Sequence, residues 1–337
     1  MEHLDGYVLD DYKFEVKLFD IHAIKQDDWV NIAKEYDMVF LNYTVLDWAF
    51  AYMGAPMRGE GKKMIMDIDD AISHVRKDNP TYQQYQANNG KYIYNVNCML
   101  NEVDYVTTTT PYLRNVLVDE TSKGYDKIRV IPNCIDLKKY HWRFPPTKKD
   151  KITLMYFGST THFEDLLQKQ FTTGVDRLME EIPNLQLVTV GAFIPELRDK
   201  WGMRYVNDFG DTDVYKWIEF GYPKFMEAAD IVVSPLEIDT YNRSKSFIKY
   251  LEYSAAKKPG VYQDINQYRD IVEHGKNGFL AQTADNWYTH IKALVTDIDL
   301  RKKIGNAAFK TAQEYQIKDW VKKYAELFKS CVVDDKQ

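Results

Sequence analysis

Short apolar runs alternate with helical stretches along this chain, and the alternation runs through twice. That rhythm calls for parallel strands joined by crossover helices, and so for an α/β fold. In the first pass, EVKLFDI (15–21), DMVFLNY (37–43), KKMIMDIDD (62–70), DYVTTTT (104–110) and KIRVIPN (127–133) read as strands. DDWVNIAKEY (27–36), residues 81–102 and PYLRNVLVDE (111–120) read as helices, the last opening on proline at its first position. HWRFPPTKKDK (141–151), a proline pair in a basic run, is the expected linker. The second pass starts at KITLMYFG (151–158) and continues through 168–183, 185–191, 222–230, 231–237, 244–258 and 259–264, before helices fill 284–330.

A length of 337 residues suits two domains of this kind. The expectation is two Rossmann-like, doubly wound domains facing a cleft, residues 1–140 and 151–309, with ligands beyond the carboxyl ends of the strands. The first domain is short: no glycine-rich turn follows 15–21, so an initial β-α unit is absent or degenerate. A net charge of −6 disfavours a general nucleic-acid binder but allows a local basic cleft. No apolar run approaches the ~20 residues that span a bilayer, and the opening MEHLDGYVLDDYKF lacks a secretory core, which gives a cytoplasmic expectation. Cys98, Cys134 and Cys331 lie far apart and fit reduced thiols rather than a zinc site.

Three stretches carry chemistry. In 244–258, Phe247, Tyr250, Leu251 and Ser254 fall on one helical face, and Lys245, Lys249 and Glu252 on the other. With Ser244 as cap and Arg243 beside it, the start of that helix offers free N–H groups and positive charge to a diphosphate, while Glu252 is placed for ribose hydroxyls. The bland alternative is the wet face of an amphipathic helix. In YFGSTTHFEDL (156–166), Gly158, Ser159 and Thr160 suit a phosphate-side loop and His162 a phosphate or sugar contact, or else they form an ordinary βα connection. In MIMDIDDAISHV (64–75), Asp67, Asp69 and Asp70 crowd a strand end; they read as catalytic or acceptor-binding carboxylates, as a helix cap, or as a cation site. His74 reads as a helix-surface residue. Asn133 in IPNCID sits where the hinge meets ligand, and Glu237 and Asp239 lie at a cleft edge or in a solvated loop. DWAFAYM (47–53) reads as a buried helix, with an acceptor groove or a peripheral membrane contact as the alternatives.

Taken in order, DYVTTTTPYLRNVL, IRVIPNCID, YFGSTTHFEDL and ADIVVSPLE…YNRSKSFIKYLEYSAAKKPGVYQDINQYRDIVEHGKNGFLA resemble the retaining GT-B glycosyltransferases of family four, the glycosyl transferases group 1. The resemblance covers roughly 60 to 337 and is strongest over 228–282. It implies a diphosphate site at Lys245, a ribose contact at Glu252 as second glutamate of an E-x7-E motif, and a phosphate-side loop at Gly158, Ser159 and Thr160. It also implies a crossover segment, 310–330, returning to the N-terminal domain with Trp320 as anchor. Two departures stand out: Ser244 occupies the first glutamate position, which leaves the sugar contact to Glu237 or Asp239, and Asp69-Asp70 replaces a His-Asp pair. The implied activity is hexose transfer from a UDP- or GDP-type sugar to a hydroxyl of a glycan, lipid-linked, protein or other acceptor, with retention and without cofactor or metal. The rival reading is a non-catalytic member that binds nucleotide sugar or glycan, or partners another transferase.

Overall fold

The computed structural model describes residues 1–19, 24–25, 28–44, 47–140, 150–158, 162–191, 193–208 and 222–333. Most of the expected linker (141–149) and Ser159, Thr160 and Thr161 lie outside the described residues.

The C-terminal half is built on β7 (Ile152–Gly158), β8 (Leu185–Gly191), β9 (Tyr205–Asp208), β10 (Ile231–Ser234), β11 (Gly260–Gln263) and β12 (Phe279–Ala281), all paired in parallel. Their order is β12-β11-β10-β7-β8-β9. Chain progression reverses between β7 and β10, which opens a crevice beyond the carboxyl ends of those two strands. Helices cover both faces. Leu154, Tyr156, Phe171, Leu178 and Trp287 pack one side; Met155, Phe157, Tyr253 and Tyr262 pack the other. Such continuous burial is what apolar runs such as ITLMYF impose.

The N-terminal half carries β3 (Met38–Asn42), β4 (Lys63–Ile68), β5 (Tyr105–Thr108) and β6 (Ile128–Val130), parallel and in the order β3-β4-β5-β6. Side-chain alternation along β4 sends Met64, Met66 and Ile68 into a core with Phe50, Met53 and Leu113, and Ile65 to the opposite face. Phe50 and Met53 place that part of DWAFAYM inside the protein. Thr110 caps helix Pro111–Glu120 by accepting from the Leu113 N–H, with Pro111 at the first position as expected.

The far face of this sheet is covered by helix Ile317–Val333, whose Val321, Ala325, Phe328 and Cys331 pack on Ile65, Tyr105 and Ile131. The return to the N-terminal half therefore begins at 317, after a break that ends helix Ile298–Gln313. Ile135 straddles that break, its N–H bonded to the Tyr315 carbonyl and its carbonyl to the Ile317 N–H. Trp320 does not reach the N-terminal core. It stacks on Tyr315 at 5.5 Å and donates to the Glu314 carbonyl, closing the turn between the two helices.

A second difference concerns 15–21. The nearby ladder is a two-strand hairpin, Val8–Leu9 with Tyr12–Lys13, whose backbone bonds continue from Phe14 to Gly6 and Tyr7, and residues 15–19 form no strand. The Val16 N–H goes to the Asp5 carboxylate, and Phe14 and Val16 pack beside the returning helix. The apolar alternation is met by helix packing rather than by a sheet neighbour. Among the described residues, no helix is long and apolar enough to cross a membrane.

Candidate functional site

Gly158 ends β7 at the crevice. A Cβ there would lie 2.7 Å from the Tyr156 ring and hydroxyl, so glycine leaves room for that phenol beside the strand end. The Tyr156 hydroxyl accepts from Lys249 Nζ at 3.0 Å, and the ammonium sits 4.6 Å from the ring centroid. Burial pushes Lys249 down to about 7, against the pull of Asp165. A strand glycine, a fully buried tyrosine and a lysine from the expected helix 244–258 are thereby one unit.

The backbone around Lys245 differs from the expected continuous helix. Thr240–Ser244 forms one short helix, capped by Asp239, whose side chain accepts from the Asn242 N–H. Lys245 is extended (φ −63°, ψ 154°), and the next helix runs Ile248–Ala255. Ser244 is thus no helix cap: it is fully buried at the end of the first helix, its hydroxyl donating to the Thr240 carbonyl. Its own carbonyl accepts from Thr110 Oγ1 of the N-terminal half at 3.0 Å. The break has a function in the geometry, since it swings Lys245 out of the helix and across the cleft. Lys245 Nζ lies 3.4 Å from Asp70 and 4.1 Å from the Tyr241 ring centroid. Burial works against this ammonium, but Asp70, Tyr241 and Asp165 outweigh it and hold the group above the ordinary lysine range. Arg243 turns aside, its guanidinium 3.4 Å from the Asn266 amide oxygen.

Beneath the lysines lies a buried pair. His162 Nδ1 is 2.8 Å from Asp165 Oδ2, and Asp165 Oδ1 accepts from the Glu237 N–H at 2.8 Å and from Asn242 Nδ2 at 2.9 Å. Burial, with Lys249 and Lys245 nearby, drives His162 well below the ordinary imidazole range, so the ring is neutral. Burial raises Asp165, countered by the Glu237 N–H and the lysines.

The N-terminal lip supplies carboxylates. Asp67 is not among the cleft groups. It follows Ile65 onto the face covered by the returning helix, accepts from Thr107 Oγ1 at 2.5 Å and faces Tyr324; burial raises it to about 6. The chain leaves the strand after Ile68, so alternation no longer ties Asp69 to the side of Asp67. Asp69 is raised by burial and by Asp70. Tyr43, after β3, hydrogen-bonds Tyr85, and both sense Asp69 and Asp70. Arg76, past the lip, pairs with Asp78 and reaches Asp239 across the cleft at 3.8 Å.

The remaining expected residues fall at the edges of this cleft. Asn133 Nδ2 donates to Ser246 Oγ at 2.8 Å, joining the end of the first half to the loop after Lys245. Glu252 accepts from the Tyr140 hydroxyl at 3.4 Å. Glu237 is raised by burial and faces Arg76. His74 lies outside, 3.2 Å from Glu120. Among the described residues, no three His, Cys, Asp or Glu side chains gather as metal ligands. Tyr156, Asp165, Tyr241, Tyr43, Tyr85 and Arg76 belong to the site although sequence reasoning did not select them. Asp165 carried a signal, since it stands three residues after His162 on the same turn; the tyrosines were lost among 25.

Two facing α/β halves, a strand-order reversal at the crevice and a returning C-terminal helix make this a GT-B-fold protein. Over residues 151–297 the chain matches the family described as Glycosyl transferases group 1, where the resemblance in the sequence was strongest. It is 28% identical over 170 residues to EpsD of Bacillus subtilis (strain 168), which is named as a glycosyltransferase. That alignment covers 48% of this chain and 41% of the relative, so the chain spans less than half the length of that curated protein. Among solved structures, HepE of Anabaena in complex with UDP and glucose superimposes with a TM-score of 0.64 at 15% identity, covering 90% of this chain and 81% of HepE. The sucrose-phosphate synthase of Thermosynechococcus elongatus gives 0.65 at 15% identity, covering 92% and 77%. At that identity the likeness establishes the fold.

Proposed function

We propose that this protein transfers a hexose from a nucleoside-diphosphate sugar to an acceptor hydroxyl, with retention at the anomeric carbon. One observation carries the reading: Lys245 and Lys249 from one half and Asp69 and Asp70 from the other meet at the strand-order reversal, with Lys245 only 3.4 Å from Asp70. The lysines neutralise the departing diphosphate, and Lys249 takes up a proton as the phosphates arrive. Asp69, lifted by burial, accepts the acceptor's proton as the new bond forms. Glu252 and Tyr140 hold the ribose, and Gly158 lies beside the phosphates. The two ammonium groups supply the charge a divalent cation would bring, so the transfer runs without metal or other cofactor. HepE's complex with UDP and glucose makes UDP-sugars the first donors to test. The acceptor is a glycan, lipid-linked, protein or other hydroxyl.

The test is release of nucleoside diphosphate from a panel of UDP- and GDP-sugars, with and without EDTA. Turnover on one donor, insensitive to EDTA and lost in Lys245→Ala, supports the reading; turnover that survives that substitution contradicts it. Ser244, fully buried and bonded to Thr240, favours a second reading in which the chain binds nucleotide sugar or glycan without reacting. Binding without transfer or hydrolysis on any donor would select that alternative.

A further inference from the structure

We propose that His162, oriented by Asp165, accepts a hydrogen bond from a hydroxyl of the donor's sugar and so sets which sugar is held. The inference rests on the reading that a nucleotide sugar fills this cleft.

The argument starts from Asp165. The residue is 4% exposed, and its carboxylate is saturated on one oxygen by the Glu237 N–H and Asn242 Nδ2. The other oxygen is left for His162 Nδ1 at 2.8 Å. An ionised carboxylate has only acceptors, so the imidazole must donate there, and the proton of the neutral ring is fixed on Nδ1. Nε2 then carries a lone pair, and among the described residues no protein donor meets it. With Nδ1 committed to Asp165, Nε2 is the ring atom left to meet a donor that a ligand brings.

The surrounding charges narrow the choice. The groups acting on the ring are Lys249 and Lys245 on the segment past the short helix and Asp70 on the opposite lip, and the two ammonium groups join burial in keeping it uncharged. A neutral acceptor is repelled by a phosphate oxygen, which is itself an acceptor. A sugar hydroxyl can donate. The lysines therefore take the diphosphate and His162 the adjoining sugar. Asp165 is a positioning residue: it touches no substrate but dictates the tautomer.

Binding of UDP against UDP-glucose, and of GDP against GDP-mannose, separates the possibilities by calorimetry. In His162→Phe, the sugar conjugate that binds wild type should weaken about fivefold, while its free diphosphate changes by less than about twofold. His162→Gln, whose amide oxygen can accept, should recover part of the loss. Asp165→Asn keeps an oxygen for Glu237 and Asn242 but turns an N–H toward His162 Nδ1. That substitution forces the ring proton onto Nε2 and should reproduce the selective loss with the histidine still present. Nitrogen-15 NMR of the unmodified protein needs no folded variant. It should find Nε2 unprotonated, with a resonance that moves on adding UDP-glucose but not UDP. Equal weakening of diphosphate and conjugate, no weakening in either, or an Nε2-protonated ring overturns the role of His162 alone. A wild-type protein that binds none of the four compounds overturns the donor reading and this inference together.

Discussion

The two halves of the molecule face one cleft but are built on different terms. Among the described residues the C-terminal sheet has six strands and reverses its order, so a crevice is intrinsic to its topology. Its polar groups are locked by short internal bonds: Lys249 to Tyr156, His162 to Asp165, Asp165 to Asn242. The described N-terminal strands step in one direction, and their lip offers Asp69, which burial and the neighbouring Asp70 lift toward protonation. The contrast teaches a division of labour. One half holds its lysines against fixed partners, and the other brings a carboxylate across to meet one of them.

The sharpest way to break that division is to remove its central cation. Lys245→Ala should reduce kcat/KM by about 10²–10³ with an unchanged far-UV circular dichroism spectrum. On the opposite lip, Asp69→Asn should lower turnover by about 10² yet leave the calorimetric affinity for UDP intact, because it acts on the acceptor side. Equal effects of both substitutions on UDP binding would merge the two roles.

The halves also differ in what holds them. Phe328 of the returning helix packs 5.6 Å from Phe40 of β3 and is 5% exposed. Phe328→Ala should cost about 3 kcal/mol in urea unfolding, as a loss centred on the N-terminal half. Lys249 gives a smaller, pH-dependent effect. Its folded value of about 7 lies below the ordinary lysine value, so the folded state holds fewer protons than the unfolded one. The cost of burying it is complete below about pH 7 and fades as pH rises toward about 10.4. Lys249→Met should therefore stabilise the unliganded protein by on the order of 1–2 kcal/mol at and below neutral pH, with the gain shrinking in alkali. In the wild type, UDP affinity should fall as pH rises above 7, with proton uptake visible as a buffer-dependent binding enthalpy. Least affected is Arg76→Ala. Its pair with Asp239 spans the cleft at 3.8 Å with both side chains partly solvated, and its loss should cost less than about 0.5 kcal/mol and vanish in high salt.

Much of the fold was legible because parallel, doubly covered strands leave continuous apolar runs. ITLMYFG and LQLVTVG coincide with β7 and β8, and Pro111 marked a helix start to the residue. Helical spacing singled out Lys245, Lys249 and Glu252, but only Lys249 and Glu252 lie on the helix Ile248–Ala255. The helix break at Lys245–Phe247 was not legible: no glycine or proline marks it, and it arises because the Ser244 carbonyl is taken by Thr110 from the other half. Long-range bonds of that kind leave no local pattern. The same holds for Asp67, whose neighbours in sequence suggested a lip residue but whose partners, Thr107 and Tyr324, come from a strand and a helix far along the chain.

A crystal structure with the preferred nucleoside diphosphate bound is the most direct measurement. The distal phosphate should lie within about 3.2 Å of Nζ of both Lys245 and Lys249, with the Lys245–Asp70 contact opened to admit it. A diphosphate seated elsewhere, with both lysines still on Asp70 and Tyr156, would contradict the account.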